Sequence, residues 1–171
     1  MWWMGKWLSA AGLIIAAAGC QAAEDQAAAE VDNIIASYLN ESPKDPVWSR
    51  EGLSLYLPDN ASVEQKEDEV YQISTEDREY LLYRNDLMEE VTAADPEYGQ
   101  TGNEEPIVAE MEEQGEDRAF VIITPFNKDM YELKIGMNTT SMTTIMKLSE
   151  MEEQAGIMFD IVQSAEQTTE P

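Results

Sequence analysis

The chain has 171 residues, with 35 Asp and Glu against 10 Lys and Arg, no histidine and one cysteine. A formal net charge of −25 excludes nucleic acid as a partner, because phosphate binding needs clustered Lys and Arg. Without histidine the chain lacks the usual general base and the commonest metal ligand, and a lone cysteine forms no internal disulfide.

In residues 1–20 the only charged side chain is Lys6, set among Trp2, Trp3 and Trp7. Leu8 to Ala18 then run apolar or small, with Ser9 the one polar residue. A basic start and an apolar stretch of about 7–15 residues are the marks of a secretory signal, too short for a membrane span of roughly 20. The stretch closes on Ala17-Ala18-Gly19-Cys20, which resembles the lipobox of bacterial lipoproteins. The resemblance implies a diacylglyceryl group on the Cys20 sulfur, cleavage just before it, and acylation of the new amino group by a chain such as palmitate. It also implies an address on the outer face of the cytoplasmic membrane or on another envelope membrane. The alternative is an ordinary secretory signal, or an uncleaved anchor, with an incidental cysteine. Cys20 stands at the one position where lipidation needs it and has no disulfide partner. The resemblance covers residues 1–20 alone. The expected division is a signal peptide over 1–19, a tether over 20–26, a single domain over 27–166 and a frayed tail over 167–171.

Cleavage before Cys20 leaves 152 residues carrying 35 acidic and nine basic side chains, a net −26. A chain of this size buries about two-thirds of its unfolded surface, enough for a real core. Anionic headgroups repel such a surface, so the expected contact with the membrane is the lipid on Cys20. An acidic surface fits a secreted protein in salty or alkaline surroundings. A calcium site is the sharper reading of the same acids, but no Asp-x-Asp-x-Asp-Gly loop closing on Glu occurs.

Val31, Ile34, Ile35, Tyr38 and Leu39 recur at helical spacing, predicting a helix over about 24–40 that Pro43 ends. Residues 44–52 read as a connection. Leu53, Leu55 and Leu57 alternate with polar neighbours up to Pro58, predicting a strand. A short strand near Val63 follows, then a charged turn over 66–69. Val70 to Ser74 and Glu79 to Asn85 form a hairpin about Thr75-Glu76-Asp77. Residues 86–106 break the rhythm with Pro96, Gly99, Gly102 and Pro106, and read as a mobile acidic loop. Strands follow over 107–112 and 118–124, joined at Gln114-Gly115-Glu116-Asp117. The run Phe120 to Ile123 is the most apolar in the mature chain and predicts a central strand covered on both faces. Pro125 to Asp129 turns the chain. Tyr131, Leu133, Ile135 and Met137 alternate strictly, and Asn138-Thr139-Thr140 leads into 142–147. Ser149 and Glu152 have the spacing of a capping box, ahead of a stripe of Met151, Ala155, Met158, Phe159 and Val162.

This order predicts an α+β fold, an antiparallel sheet of about seven strands with an N-terminal and a C-terminal helix packed on one face. The segment Glu51-Gly52-Leu53-Ser54-Leu55-Tyr56-Leu57-Pro58 is similar to the entry strand of PsbP-like α/β sandwiches. That likeness spans eight residues and carries no functional residue with it.

No Gly-x-Ser-x-Gly, phosphate-binding glycine loop or Gly-x-Gly-x-x-Gly occurs, and no pair of carboxylates is singled out by spacing. The expectation is no catalytic residue, no cofactor and no resident metal. The sequons at Asn40, Asn60 and Asn138 read as incidental in a bacterial chain. Met130, Met137, Met142, Met146, Met151 and Met158 fall at strand and helix spacing, which favours core packing over copper binding. The expected function is a lipid-anchored, non-enzymatic lipoprotein that binds or assists another envelope protein. The alternative is a small-ligand or cation (calcium) binding module. The charge excess also predicts that sodium chloride raises the thermal midpoint of residues 21–171 by screening self-repulsion. A midpoint flat in salt refutes this, and a rise confined to micromolar calcium at matched ionic strength points to a cation site instead.

Overall fold

The computed structural model describes residues 17–50, 52–84 and 105–166. Helix α1 (Ala17–Asn40) leads into two three-residue strands, β1 (Trp48–Arg50) and β2 (Leu53–Leu55). Then come β3 (Ser62–Glu67), β4 (Val70–Ser74), β5 (Glu79–Arg84), β6 (Val108–Gln114), β7 (Asp117–Asn127), β8 (Met130–Met137) and β9 (Thr140–Met146). A 3-10 turn (Leu148–Glu150) joins β9 to helix α2 (Met151–Glu166). The last seven strands form one antiparallel sheet in the order β3-β4-β5-β9-β8-β7-β6, and β1 and β2 pair as a separate ribbon. The expected α+β class is the observed one, with a helix near each end of the described chain.

Alternation decides which side of each strand enters the core. Leu133, Ile135 and Met137 of β8, Met142 and Met146 of β9, and Tyr80 and Leu82 of β5 are buried toward the helices. Helix α1 lies against β6 and β7, helix α2 against β8 and β9, and the ribbon strand β2 beside α2. The α2 stripe enters as its spacing predicts, with Met151, Ala155, Met158, Phe159 and Val162 each at most 1% exposed. The methionines at 137, 142, 146, 151 and 158 are all core residues.

The two helices hold each other by contacts that the stripe alone does not specify. The Tyr38 ring stacks on Phe159, with centroids 4.8 Å apart and planes 14° from parallel. The Tyr38 hydroxyl donates to the Gly156 carbonyl at 3.2 Å. A Cβ at Gly156 would stand 3.1 Å from that hydroxyl oxygen, so the glycine lets the helices close. Gln163 Nε2 donates to the Tyr38 and Glu41 carbonyls at 2.6 and 3.2 Å, filling acceptors that the end of α1 leaves open.

Five expectations change. Among the described residues helix α1 spans Ala17–Asn40, so residues 20–26, expected as a tether that merges into a helix from about Glu24, are helical here. Alanine is the best helix former, and Gln26 Nε2 adds an i,i+4 bond to Glu30 at 2.7 Å. The expected connection 44–52 contains β1, which pairs with β2 across a turn where Gly52 takes φ +82°. Three residues are too few for a period-two signal. The strand expected over 53–57 ends at Leu55 and lies outside the main sheet. Strand β7 is second from the edge, not central, although Val121 and Ile123 on one face and Phe120 on the other are buried. The capping box expected from Ser149 and Glu152 is displaced, because Ser149 already lies within the 3-10 turn. Glu150 accepts from the Lys147 backbone N–H at 3.0 Å in its place, with Lys147 still extended (φ −86°, ψ 150°). Residues 86–104 of the expected loop and the tail 167–171 lie outside the described residues.

Phe159 is fully buried between the helices and the sheet. Phe159→Ala is expected to cost about 3–5 kcal/mol, a large share of the roughly 5–15 kcal/mol that holds a domain together. Gly136→Ala places a Cβ inside the ring of Phe120 on the neighbouring strand and is expected to cost about 1–3 kcal/mol by overpacking. Urea denaturation of the two variants ranks them. A silent Phe159→Ala would remove the helix–helix stack from the account of stability.

Candidate functional site

The helices cover one side of the sheet, so any site built on the sheet itself lies on the other. The register places Ile122, Lys134, Thr143, Leu81 and Gln72 in one row across β7, β8, β9, β5 and β4. Toward one end of the strands the next row holds Thr124, Glu132 and Ile145, and toward the other Phe120, Gly136, Ser141 and Tyr83. Phe120 lies across Gly136, the one position on β8 with no side chain to obstruct it. Glu132 is 9% exposed and accepts from the Thr143 hydroxyl at 3.0 Å. Burial pulls the Lys134 ammonium below the usual lysine range, and the Glu132 carboxylate partly offsets this.

Two concavities flank this centre. The larger, about 890 Å³, runs over β4, β5, β9 and the start of β8, with Gln72, Leu81, Thr143 and Ile145 as its floor. Phe126 stands at its margin, 56% exposed, and Glu76, Asp77, Glu79 and Glu132 make its wall acidic. Arg78 belongs to the same wall but is committed elsewhere. Its Nη1 donates to the Ile145 carbonyl at 2.6 Å and its Nη2 to Glu150 Oε2 at 3.0 Å.

The smaller concavity, about 470 Å³, lies where the β6–β7 and β8–β9 hairpins meet, lined by Glu113, Gly115, Glu116, Asp117, Arg118, Asn138 and Thr139. Asn138, at φ +49°, stitches these hairpins together. Its Oδ1 accepts from the Arg118 N–H at 3.0 Å, and its Nδ2 donates to Asp117 at 3.1 Å. The sequon residue Asn138 therefore has a structural task in a turn. Arg118 is paired in turn with Glu113 at 2.8 Å.

The lipobox residues Ala17, Ala18, Gly19 and Cys20 form the start of α1. Among the described residues no group of three or more Asp, Glu, Cys or His is placed to hold a metal ion. No buried side-chain N or O among them lacks a hydrogen-bond partner. No described helix is long and apolar enough to cross a membrane. The groove floor joins residues as far apart in sequence as Gln72 and Ile145, so no local motif announced it. Phe126 gave no sign of it either, because 125–129 was expected to be a turn, whereas β7 runs on to Asn127. No protein-family model matches the chain, and neither the curated proteins nor the solved structures contain a match to it.

The anchoring of Glu150 carries a pH dependence. The Lys147 N–H, and after it the Arg78 guanidinium, hold the Glu150 carboxyl below the usual glutamate range. A depressed folded pKa adds stability in full above the unfolded value of about 4.3, which is lost as pH falls through the folded value. Glu150→Gln is therefore expected to lower the melting temperature most at neutral pH, with the gap to wild type closing as the solution is acidified. A gap constant from pH 7 to pH 3 would show that the charge on Glu150 adds nothing.

Proposed function

We propose that the chain is a bacterial envelope lipoprotein, held to a membrane by lipid on Cys20, whose acidic domain binds another envelope protein without catalysing a reaction. The observation that carries this reading is Ala17-Ala18-Gly19-Cys20 behind a basic and apolar leader. Two acyl chains hold a protein on a bilayer where one is marginal, at about 0.8 kcal/mol per buried methylene. A domain with 35 acidic and nine basic side chains after residue 19 gains no attraction to anionic headgroups of its own.

The groove over β4, β5 and β9 supports the binding half of the reading. It joins an apolar floor at Leu81 and Ile145 to an exposed Phe126 and an acidic wall. Aromatic anchors ringed by charge suit a partner that presents a basic segment with an apolar centre.

Cys20→Ala is expected to abolish lipid labelling and to move the protein from the detergent phase to the aqueous phase. A variant that is processed normally and still fractionates with membranes would refute the lipid anchor. For the binding half, a photo-crosslinker at position 126 is expected to give one discrete protein adduct in intact envelopes, weakened by added salt. A crosslinker at 126 that captures only solvent would refute docking at the groove while leaving the anchor standing.

A further inference from the structure

Two polar contacts fix which way α1 runs along the sheet. Near its start the Tyr131 hydroxyl reaches Glu24 Oε1 at 3.5 Å, and at its end Gln114 Nε2 donates to Asn40 Oδ1 at 3.1 Å. Tyr131 lies opposite Pro125 near the β7–β8 turn. Gln114 lies opposite Asp117 at the β6–β7 turn, the other end of the same strands. From Glu24 to Asn40 the helix covers about 24 Å. From the Pro125 row to the Asp117 row the strands cover about 27 Å. The lengths match, so α1 runs alongside β6 and β7 from the end marked by Tyr131 to the end marked by Gln114.

The larger groove stands at the Tyr131 end, on the opposite side of the sheet. Leu81 pairs with Thr143 and Thr143 with Lys134, so the turn over 75–78 that precedes β5 lies beyond the row of Ile145 and Glu132. Phe126 and Met130 close the same end of the groove. Cys20 lies one helical turn before Glu24, about 6 Å along a helix and at most roughly 14 Å as extended chain. Ala27, the next residues on, is already 3% exposed in the core. The β6–β7 turn at Glu116 is about 27 Å farther away. An anchor at Cys20 therefore has no slack with which to bring that far end to a bilayer.

We infer that the groove opens at the level of the bilayer surface, and that its partner is a membrane-embedded protein presenting a cationic segment with an apolar centre directly beside its span. This rests on the proposed lipid anchor at Cys20 and narrows the proposed binding role to one class of partner. A segment that adjoins a membrane span is held at the height of the groove, and confinement to one surface raises its effective concentration there. The lining supplies the chemistry. Glu76, Asp77, Glu79 and Glu132 face the cationic side chains, and Leu81, Ile145 and Phe126 take the apolar centre. Lys128 and Asp129 in the β7–β8 turn cancel, so the sign of the wall is unchanged. Anionic headgroups do not compete for such a site, because the acidic wall repels them.

The test uses the full lipidated chain. Cys20 is the only cysteine, so with its sulfur acylated a new thiol is the single labelling site. A donor dye at Asn127→Cys or Glu116→Cys is read against acceptor-labelled headgroups in neutral phosphatidylcholine vesicles. The distance of closest approach is expected to be at least about 15 Å shorter at 127 than at 116, out of the roughly 35 Å length of β7. Equal distances, or a shorter one at 116, in a chain that floats with the vesicles would overturn the orientation. A chain that does not float would refute the anchor itself. In intact envelopes, the adduct of a photo-crosslinker at 126 is expected to map to a peptide adjoining a membrane span. A helical spacer of Glu-Ala-Ala-Ala-Lys repeats, about 30 Å long and inserted after Gln21, is expected to leave the chain on the membrane and lower that adduct at least about tenfold. An adduct unchanged by the spacer would overturn the inference in favour of a soluble partner, and an adduct with lipid alone in favour of Phe126 immersed in the bilayer.

Discussion

The pairing of β5 with β9 joins two otherwise local structures. Strands β3, β4 and β5 form one hairpin run, and β6 to β9 form another, each built from neighbours in sequence. Between them stands a single ladder, Leu81 with Thr143 through Arg84 with Thr140. Two side chains reinforce it at one end. The Thr144 hydroxyl donates to the Glu79 carbonyl at 2.8 Å, and Arg78 reaches the Ile145 carbonyl. The same Arg78 then binds Glu150, which fixes the turn into α2. The position of the C-terminal helix thus follows from the strand pairing that precedes it. So does the parallel relation of β5 and β6, which no local signal requires.

Helix α2 in turn organises the rest of the core side. It carries three buried polar residues, Gln154, Gln163 and Ser164, and each is matched. Gln154 accepts from the Tyr80 hydroxyl at 2.7 Å, and Gln163 fills the acceptors at the end of α1. Ser164 accepts from the Tyr56 N–H at 2.7 Å and donates to the Ile161 carbonyl at 2.6 Å. Lys44 adds a contact to Asp160 at 2.6 Å while sitting 4.8 Å from the centre of the Tyr56 ring. A buried polar group left without its partner costs about 1–3 kcal/mol, so these pairings specify where α1 and the ribbon rest on α2. The apolar stripe supplies burial, and the polar groups supply registration.

This split explains what the sequence disclosed. Alternation and helical spacing are local, so β4, β8, β9 and the α2 stripe were legible with nearly correct bounds. The turn glycine Gly115, at φ +69°, marked the β6–β7 hairpin as well. Strand order is not local. The apolar run at Phe120 to Ile123 suggested a central strand, yet β7 is buried because α1 covers one face and Phe120 folds over Gly136 on the other. The capping pattern misled because Ser149 and Glu152 have the right spacing but the wrong start. The free N–H belongs to Lys147, and only the observed backbone reveals that. For the candidate site, Cys20 was visible as a four-residue motif, whereas the groove is made of strands that meet only in the folded chain.

The scarcity of cations shapes the surface as much as the excess of acids. Lys44, Lys66, Arg78, Arg84 and Arg118 each lie within 4 Å of a carboxylate. The two pairs exposed on both sides, Lys66–Glu64 and Arg118–Glu113, contribute about 0–1 kcal/mol each, so their effect on stability is small. Pairing does not change the sum, and the field follows the net charge of −25. The turn at Glu76 and Asp77 and that at Glu116 and Asp117 stand at opposite ends of the sheet. A field of one sign speeds encounters with cationic surfaces and slows encounters with anionic ones, and salt screens both. The groove wall shares that sign, while its floor at Leu81 and Ile145 is apolar. On the proposed reading, charge there would govern the approach of a partner, and the apolar floor and Phe126 how long it stays.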